Sequence, residues 1–214
     1  GPTVLGSLRD RGVHITSYGA AGREGIVSRL DVGTSGLMLV CKSDLAYTEM
    51  RRQFAEHEVK KTYHALVQGG LKENKATIEA PIGRAKVSDF RFCVTPAGKP
   101  AVTHWDVLER FGHEATLVSV NLETGRTHQI RVHMKHIGHV LFNDERYGGH
   151  EILKGTHFSK YKQFVNNCFD TCPRQALHAM TLGFVHPVTG EEMYFTSELP
   201  DDMTRLIEKW RGYI

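Results

Sequence analysis

An acid set between a base and a glycine-rich turn is the feature of this sequence best placed to do chemistry. Arg29-Leu30-Asp31 stands between a β-branched run and the turn Gly33-Thr34-Ser35-Gly36. Asp31 is therefore expected at the end of a strand, where the scaffold is stiff but a side chain can still reach solvent or a ligand. Two readings of the segment stay open. In one, Asp31 is a reacting carboxylate, able to act as nucleophile or base. In the other it closes an Asx-type turn and merely caps backbone amides. Other groupings carry less. His133, His136 and His139 are spaced i, i+3, i+6, which spreads their rings round a helix, and His139 lies beyond Gly138, so no metal site is expected there. Cys168 and Cys172 with His178 lack zinc-knuckle spacing. The Gly33–Gly36 turn has neither the Gly-x-Ser-x-Gly spacing of a nucleophile elbow nor the Gly-Lys-Ser/Thr ending of a phosphate loop.

The elements that must position these residues follow from periodicity. Residues 37–42 read as a buried strand, followed by Ser43 as the N-cap of a helix that carries Leu45, Met50 and Phe54 towards the core. Strands are expected at Thr62–Val67, Phe90–Val94, Val102–Leu108 and Ala115–Leu122, separated by Gly- or charge-rich turns. Between Thr127 and Ile137, the residues Ile130, Met134 and Ile137 form one apolar stripe at i, i+4, i+7, and Gly138 ends the helix. Two more strands, Leu177–Val185 and Met193–Thr196, precede a short helix from about Asp201. Antiparallel strands with a few helices make an α+β domain. The stretch Lys154–Phe164 interleaves bases and aromatics, which suits either a nucleic-acid grip or a solvated loop with anchoring aromatics.

Composition narrows the classes. The chain has 214 residues, 40% hydrophobic and 24% charged, which excludes a disordered chain and is enough for a buried core. With no repeat and no linker, 1–214 reads as one domain. The absence of a signal-like start and of any long apolar run makes the cytoplasm the expected compartment and excludes a membrane role. Four irregularly spaced cysteines agree with a reducing environment. The formal charge of +3 hides an uneven distribution. Residues 191–214 hold six acids and three bases, so the totals of 24 acids and 27 bases leave 18 acids and 24 bases in residues 1–190. That body is basic enough to carry a face for phosphates.

Five stretches, taken together and in order, resemble the RluA/RluD family of uridine-to-pseudouridine isomerases. They are Arg29-Leu30-Asp31-x-x-Thr34-Ser35-Gly36; Lys60-Lys61-Thr62-Tyr63-His64-Ala65-Leu66-Val67-Gln68-Gly69; Thr124-Gly125-Arg126-Thr127-His128-Gln129-Ile130-Arg131-Val132-His133; and Asn143–Gly148 with Leu177-His178-Ala179. Agreement in kind, order and spacing over residues 25–200 is far more specific than any one short motif. The resemblance implies a pseudouridine-synthase-like α+β fold with a mainly antiparallel or mixed central sheet. The implied activity is isomerisation of uridine in structured RNA, ribosomal or transfer, by a monomer.

The implied reaction breaks the N1–C1′ bond of uridine, turns the base and forms a C5–C1′ bond without net oxidation, so it calls for no redox cofactor and no metal. Asp31 is assigned as the carboxylate that adds to the nucleotide or takes a proton from its sugar. Arg131 would keep it charged against the loss of solvent. Tyr63 matches the stacking position for an extruded base and is a candidate to help remove the C5 proton. Arg29 would reach into the gap left by that base, and Arg126, Thr34, His128 and Gln129 complete the expected RNA-binding set. Two departures stand out. Ser28 replaces the usual histidine, and the Asn/Asp-Lys-Pro-x-Gly stretch, its strand and a preceding small basic domain are missing, so an edge strand is expected to be lost.

Overall fold

A computed structural model describes residues 2–86, 90–153 and 158–214. In chain order the elements are α1 (Val4–Asp10), β1 (Ser35–Gly36), α2 (Asp44–Ala55), β2 (Lys60–Gln68), β3 (Lys75–Glu79), β4 (Ile82–Arg84), β5 (Phe92–Val94), β6 (Val102–Phe111), β7 (Ala115–Leu122), α3 (Gln129–His136), α4 (Ser159–Thr171), β8 (Leu177–Val185), β9 (Glu192–Thr196) and α5 (Asp201–Tyr213). The class is α+β, as the alternating patterns predict. The chain divides into two compact units, one of residues 1–30, 37–60 and 181–196 and the other of residues 31–36, 61–180 and 197–214. Among the described residues no helix is long and apolar enough to cross a membrane.

In the first unit, Ser43 caps α2 as expected, its hydroxyl accepting from the Ala46 amide at 3.2 Å. Met50 and Gln53 are buried, whereas Leu45 is exposed and does not enter the core. The Gln53 amide makes a reciprocal pair with the Val185 backbone, donating to its carbonyl at 2.8 Å and accepting from its amide at 3.0 Å. This satisfies a fully buried polar group in the way a strand neighbour would. The expected strand at 37–42 is not formed. Only a single bridge joins Ile26 to Val40, because the backbone of Cys41 is bonded to irregular chain at Thr16 and Gly25 instead of to a strand.

The second unit holds most of the sheet that positions the site, including β8 as far as Met180. Its strand order is β1-β8-β2-β7-β6-β3. The order is mixed, since β1 runs parallel to β8 while β2, β7, β6 and β3 pair antiparallel. Strands β4 and β5 form a separate hairpin. Against the sheet, α4 and α5 close a core of Leu66, Phe111, Phe142, Tyr161, Val165, Met203, Leu206 and Trp210. The stretch read as either a nucleic-acid grip or a solvated loop with anchoring aromatics is helical from Ser159, and its aromatics serve packing from Tyr161 onward. Tyr161 is buried, and Phe164 meets Trp210 edge-on at 4.9 Å and stacks on Tyr213 at 4.1 Å. Phe158, Lys160 and Lys162 stay exposed, while Lys154 and His157 lie outside the described residues. Helix α3 also differs from the one-sided stripe expected. All of Gln129–Met134 is buried, because Val132 packs on a second cluster with Ile82, Ala101, Val140 and Tyr147 while Ile130 and Met134 are buried elsewhere round the helix.

Because Leu206 has no exposed surface within the α4–α5 core, Leu206→Ala should cost about 2–5 kcal/mol through lost transfer energy and the cavity left behind. Urea denaturation should show a lower midpoint with an unchanged slope. A loss under about 1 kcal/mol would contradict this description of the core.

Candidate active site

Six consecutive buried residues, Gln129–Met134, leave the arginine among them nowhere to go but inward. Arg131 is only 5% exposed, and a guanidinium taken out of water must be paired. Its main partner is Asp144, which is 0% exposed. Arg131 Nε–H donates to Asp144 Oδ2 at 2.7 Å and Nη2–H to Oδ1 at 2.9 Å, a two-pronged pair. The remaining terminal nitrogen, Nη1, donates to Asp31 Oδ2 at 3.3 Å. The guanidinium carbon lies 5.0 Å from the centre of the Tyr147 ring, a cation–π placement. Burial alone would lower the pKa of Arg131, but the bonds and charge of Asp144, followed by those of Asp31, outweigh it and raise the value. The arginine is therefore permanently charged. Asp31 keeps 16% of its side chain exposed, so it is the member of this triad that can meet a ligand. Beside it Val32 is 98% exposed, an apolar side chain on the rim.

Tyr63 lies in β2 opposite Val120 of β7 and is nearly buried. Burial, reinforced by the Asp31 charge, pushes its phenol up to about 12, so it is neutral at ordinary pH. Two residues earlier on the same face of the strand, Lys61 is pushed down to about 8 by burial. His128, in the left-handed conformation at φ 56°, has Nδ1 2.6 Å from the Tyr147 hydroxyl. That hydroxyl also accepts from the Phe92 amide at 3.2 Å. Burial lowers the pKa of His128 against the opposing pull of Asp31.

The structure brings Asp31, Arg131 and Tyr63 together, with His128 attached through Tyr147. The other expected residues fall elsewhere. The amide of Gln129 is used up inside the protein, accepting from Thr124 Oγ1 and the Arg126 amide and donating to the Val102 carbonyl and Thr103 Oγ1, which leaves it nothing to offer RNA. Arg126 Nε–H donates to the Pro100 carbonyl at 2.8 Å, with its outer nitrogens beyond that bond. Thr34 Oγ1 accepts from Gln175 Nε2 at 3.2 Å. Arg29 is exposed in the first unit. Sequence reasoning missed Asp144, Tyr147, Arg174 and Gln175. The first two stood inside a quoted motif, which gave no sign that Arg131 would take a second acid besides Asp31.

Comparison with known proteins decides the family. The model of the RNA pseudouridylate synthase family matches residues 16–136. The chain belongs to that family. An uncharacterized RNA pseudouridine synthase of Mycobacterium bovis is 43% identical over 212 residues, covering 99% of this chain and 64% of its own length. The ribosomal large subunit pseudouridine synthase D of Vibrio vulnificus is 42% identical, covering 98% of this chain and 62% of its own. The chain thus spans somewhat under two thirds of these relatives. The solved structure of human RNA Pseudouridylate Synthase Domain Containing 1 has a TM-score of 0.69 at 26% identity, covering 98% of this chain and 85% of that one. The family members' shared fold agrees with the mixed sheet described above.

Four buried or half-buried histidines give this pseudouridylate synthase family member a pH dependence of predictable sign. Burial lowers the pKa of His64, His128, His133 and His178. In the unfolded chain each titrates near about 6.5. Just below that pH the unfolded state binds more protons than the folded one, so stability falls as the pH falls. The urea midpoint should be lower at pH 6.0 than at pH 7.5; an equal or higher midpoint at pH 6.0 contradicts the neutral assignment.

Proposed function

We propose that this chain carries the catalytic centre of an RNA pseudouridine synthase, isomerising uridine in structured RNA with Asp31 as the reacting carboxylate. One observation carries the reading: a partly open carboxylate is held by a buried guanidinium that a second, fully buried carboxylate already locks in place. Arg131 sets a fixed positive charge against the acid that an entering base would strip of water. The same carboxylate can then add to the nucleotide or take a proton from its sugar. Ribosomal RNA is the preferred substrate, supported by the relative whose name specifies the large ribosomal subunit, with transfer RNA as the alternative. A monomer acting in the cytoplasm is the working state that goes with it.

The target base must leave its stack to expose C1′. Tyr63 is assigned to receive it, offering its remaining exposed surface to the base and its phenolic proton as a donor. A phenol that stays neutral up to about 12 is a weak proton acceptor, so removal of the C5 proton does not fall naturally to it. His128 is assigned to the RNA as a second polar contact, beside Tyr147. Arg29, Arg126 and Thr34 are assigned to the RNA strand, the two arginines by charge and the threonine by its place in the loop after Asp31.

RNA carrying 5-tritiated uridine, taken from a strain lacking the gene, tests this reading, because reattachment at C5 releases the tritium. The protein should release it. Asp31→Asn should reduce release to background while leaving RNA affinity within a few fold, since charge is lost and shape kept. Arg131→Lys should lose most activity, because an ammonium cannot serve both carboxylates with one planar fork. RNA binding without any release would make the chain a binding factor, and an active Asp31→Asn protein would overturn the mechanism.

A further inference from the structure

Nothing in the Asp31–Arg131 contact explains why Asp31 stands where it does. Residues 31–34 form a tight turn, closed by the Thr34 amide donating to the Asp31 carbonyl at 2.9 Å, with Gly33 at φ 85° in the position that demands a positive value. Such a turn leaves its two middle carbonyls without backbone partners. Both are taken from one distant segment. Gln175 Nε2–H donates to the Val32 carbonyl at 2.8 Å and Arg174 Nη1–H to the Gly33 carbonyl at 2.9 Å. Arg174 Nη2–H also donates to Ser35 Oγ at 2.9 Å, and the same hydroxyl lies 2.7 Å from His178 Nδ1. The other His178 nitrogen faces Ser197 Oγ at 2.9 Å. Contact is close enough that a Cβ on Gly33 would fall 2.8 Å from Gln175 Oε1, and one on Gly36 2.4 Å from the Ala179 carbonyl.

Arg174 is itself immobilised. Its Nε and Nη2 donate to the two oxygens of Asp202, at 2.8 and 3.1 Å, and Nη1 also reaches the Leu177 carbonyl at 3.1 Å. Asp202, in the first turn of α5, is fixed by accepting from the Met203 amide at 2.8 Å. One guanidinium therefore ties helix α5 and the start of β8 to the turn that carries Asp31. The 3.3 Å separation of Asp31 from Arg131 lies just beyond the usual N–H···O range, so a small displacement of the turn decides whether that contact exists.

Resting on the proposed pseudouridine synthase reading, we infer that Arg174, seconded by Gln175, is a positioning residue for the reaction: it holds the 31–36 turn so that the Asp31 carboxylate meets Arg131 and the substrate. The competing account makes Arg174 a staple between α5 and β8 through Asp202, with no bearing on the turn. The two differ for Arg174→Lys. A lysine keeps the charge and a bond to Asp202 but cannot also serve the Gly33 carbonyl and Ser35 Oγ.

The experiment measures single-turnover tritium release at saturating RNA, RNA affinity and thermal midpoint for wild type, Arg174→Lys, Arg174→Ala and Gln175→Leu, together with crystal structures of wild type and Arg174→Lys. A displacement of the order of 1 Å costs about 100-fold in rate. Arg174→Lys should therefore lose about 30- to 100-fold in the release step with affinity within about threefold. Gln175→Leu, which removes one of the two carbonyl ties and leaves the Asp202 pair, should lose about tenfold. Added guanidinium should restore part of the rate to Arg174→Ala and none to Arg174→Lys. Ile207→Val, a core change away from the turn, should lower the midpoint and keep the rate. In the Arg174→Lys crystal the Asp31–Arg131 separation should exceed 4 Å. A rate within threefold of wild type, or a loss shared by Ile207→Val, overturns the positioning role. Should wild type release no tritium, the functional reading fails and the crystal decides: an Asp31–Arg131 contact unchanged in Arg174→Lys overturns the inference, and a lost one upholds the placement of the turn.

Discussion

A buried arginine shared unequally between two carboxylates is the constraint around which the second unit is built. Removing a guanidinium from water costs several kcal/mol even after relaxation, and only paired, well-directed bonds return that energy. Asp144, with no exposed surface, provides the two-pronged pair, and the ring of Tyr147 faces the cation. One donor nitrogen is left over. It reaches Asp31, the one carboxylate of the two that solvent can touch. The triad holds one positive and two negative charges, so the structural half is neutral and the uncompensated charge falls on the exposed acid. This division of labour lets a buried ion pair, usually of doubtful worth to stability, set the electrostatics of a site.

The surrounding polar groups are committed with similar thoroughness. Gln129 makes four bonds inside the protein, which fix the entry to α3 and thereby the height of Arg131. The His133 ring sits between Thr103 Oγ1 and the Ala80 carbonyl, each nitrogen with a partner in the neutral state. Gln68 donates to the carbonyls of Gly149 and Glu151 and accepts from the Leu153 amide, bracing the chain that follows Asp144. Fully satisfied networks of this kind rigidify, whereas a half-satisfied one would weaken the unit. The turn bearing Asp31 has only the two-residue strand β1 behind it. Its stiffness comes from side chains of the segment before β8.

Much of the architecture was legible in the sequence because its signals are local. The strands β7 and β8 have the predicted bounds, and α3 and α5 start within about two residues of expectation, since alternation and 3.6-residue spacing report directly on burial of one face. Elements without such a pattern escaped. Strand β3 buries only Ile78, and α4 was hidden behind its aromatic and basic start, although Tyr161, Val165, Cys168 and Cys172 carry helical spacing once followed far enough. The strand expected at 37–42 failed for the opposite reason: an apolar run signals burial, but a strand also needs a neighbouring ladder, which periodicity does not report.

For the site, the sequence alone marked the family, because residue type and spacing at Arg29–Gly36, Lys60–Gly69 and Thr124–His133 are specific enough to do so. The resemblance also implied that Arg131 would stand against Asp31. Only the tertiary structure added the second acid, Asp144, and decided how much of each was left for a ligand. Asp144 stands 13 residues from Arg131 and Asp31 stands 100 away. No periodicity connects such positions, since their distance is set by how the sheet and helices close around them. The same holds for Arg174, which lies 141 residues beyond the Gly33 carbonyl it holds. Contacts between distant segments cannot be read from local pattern, and the placement of the Asp31 carboxylate depends on two of them.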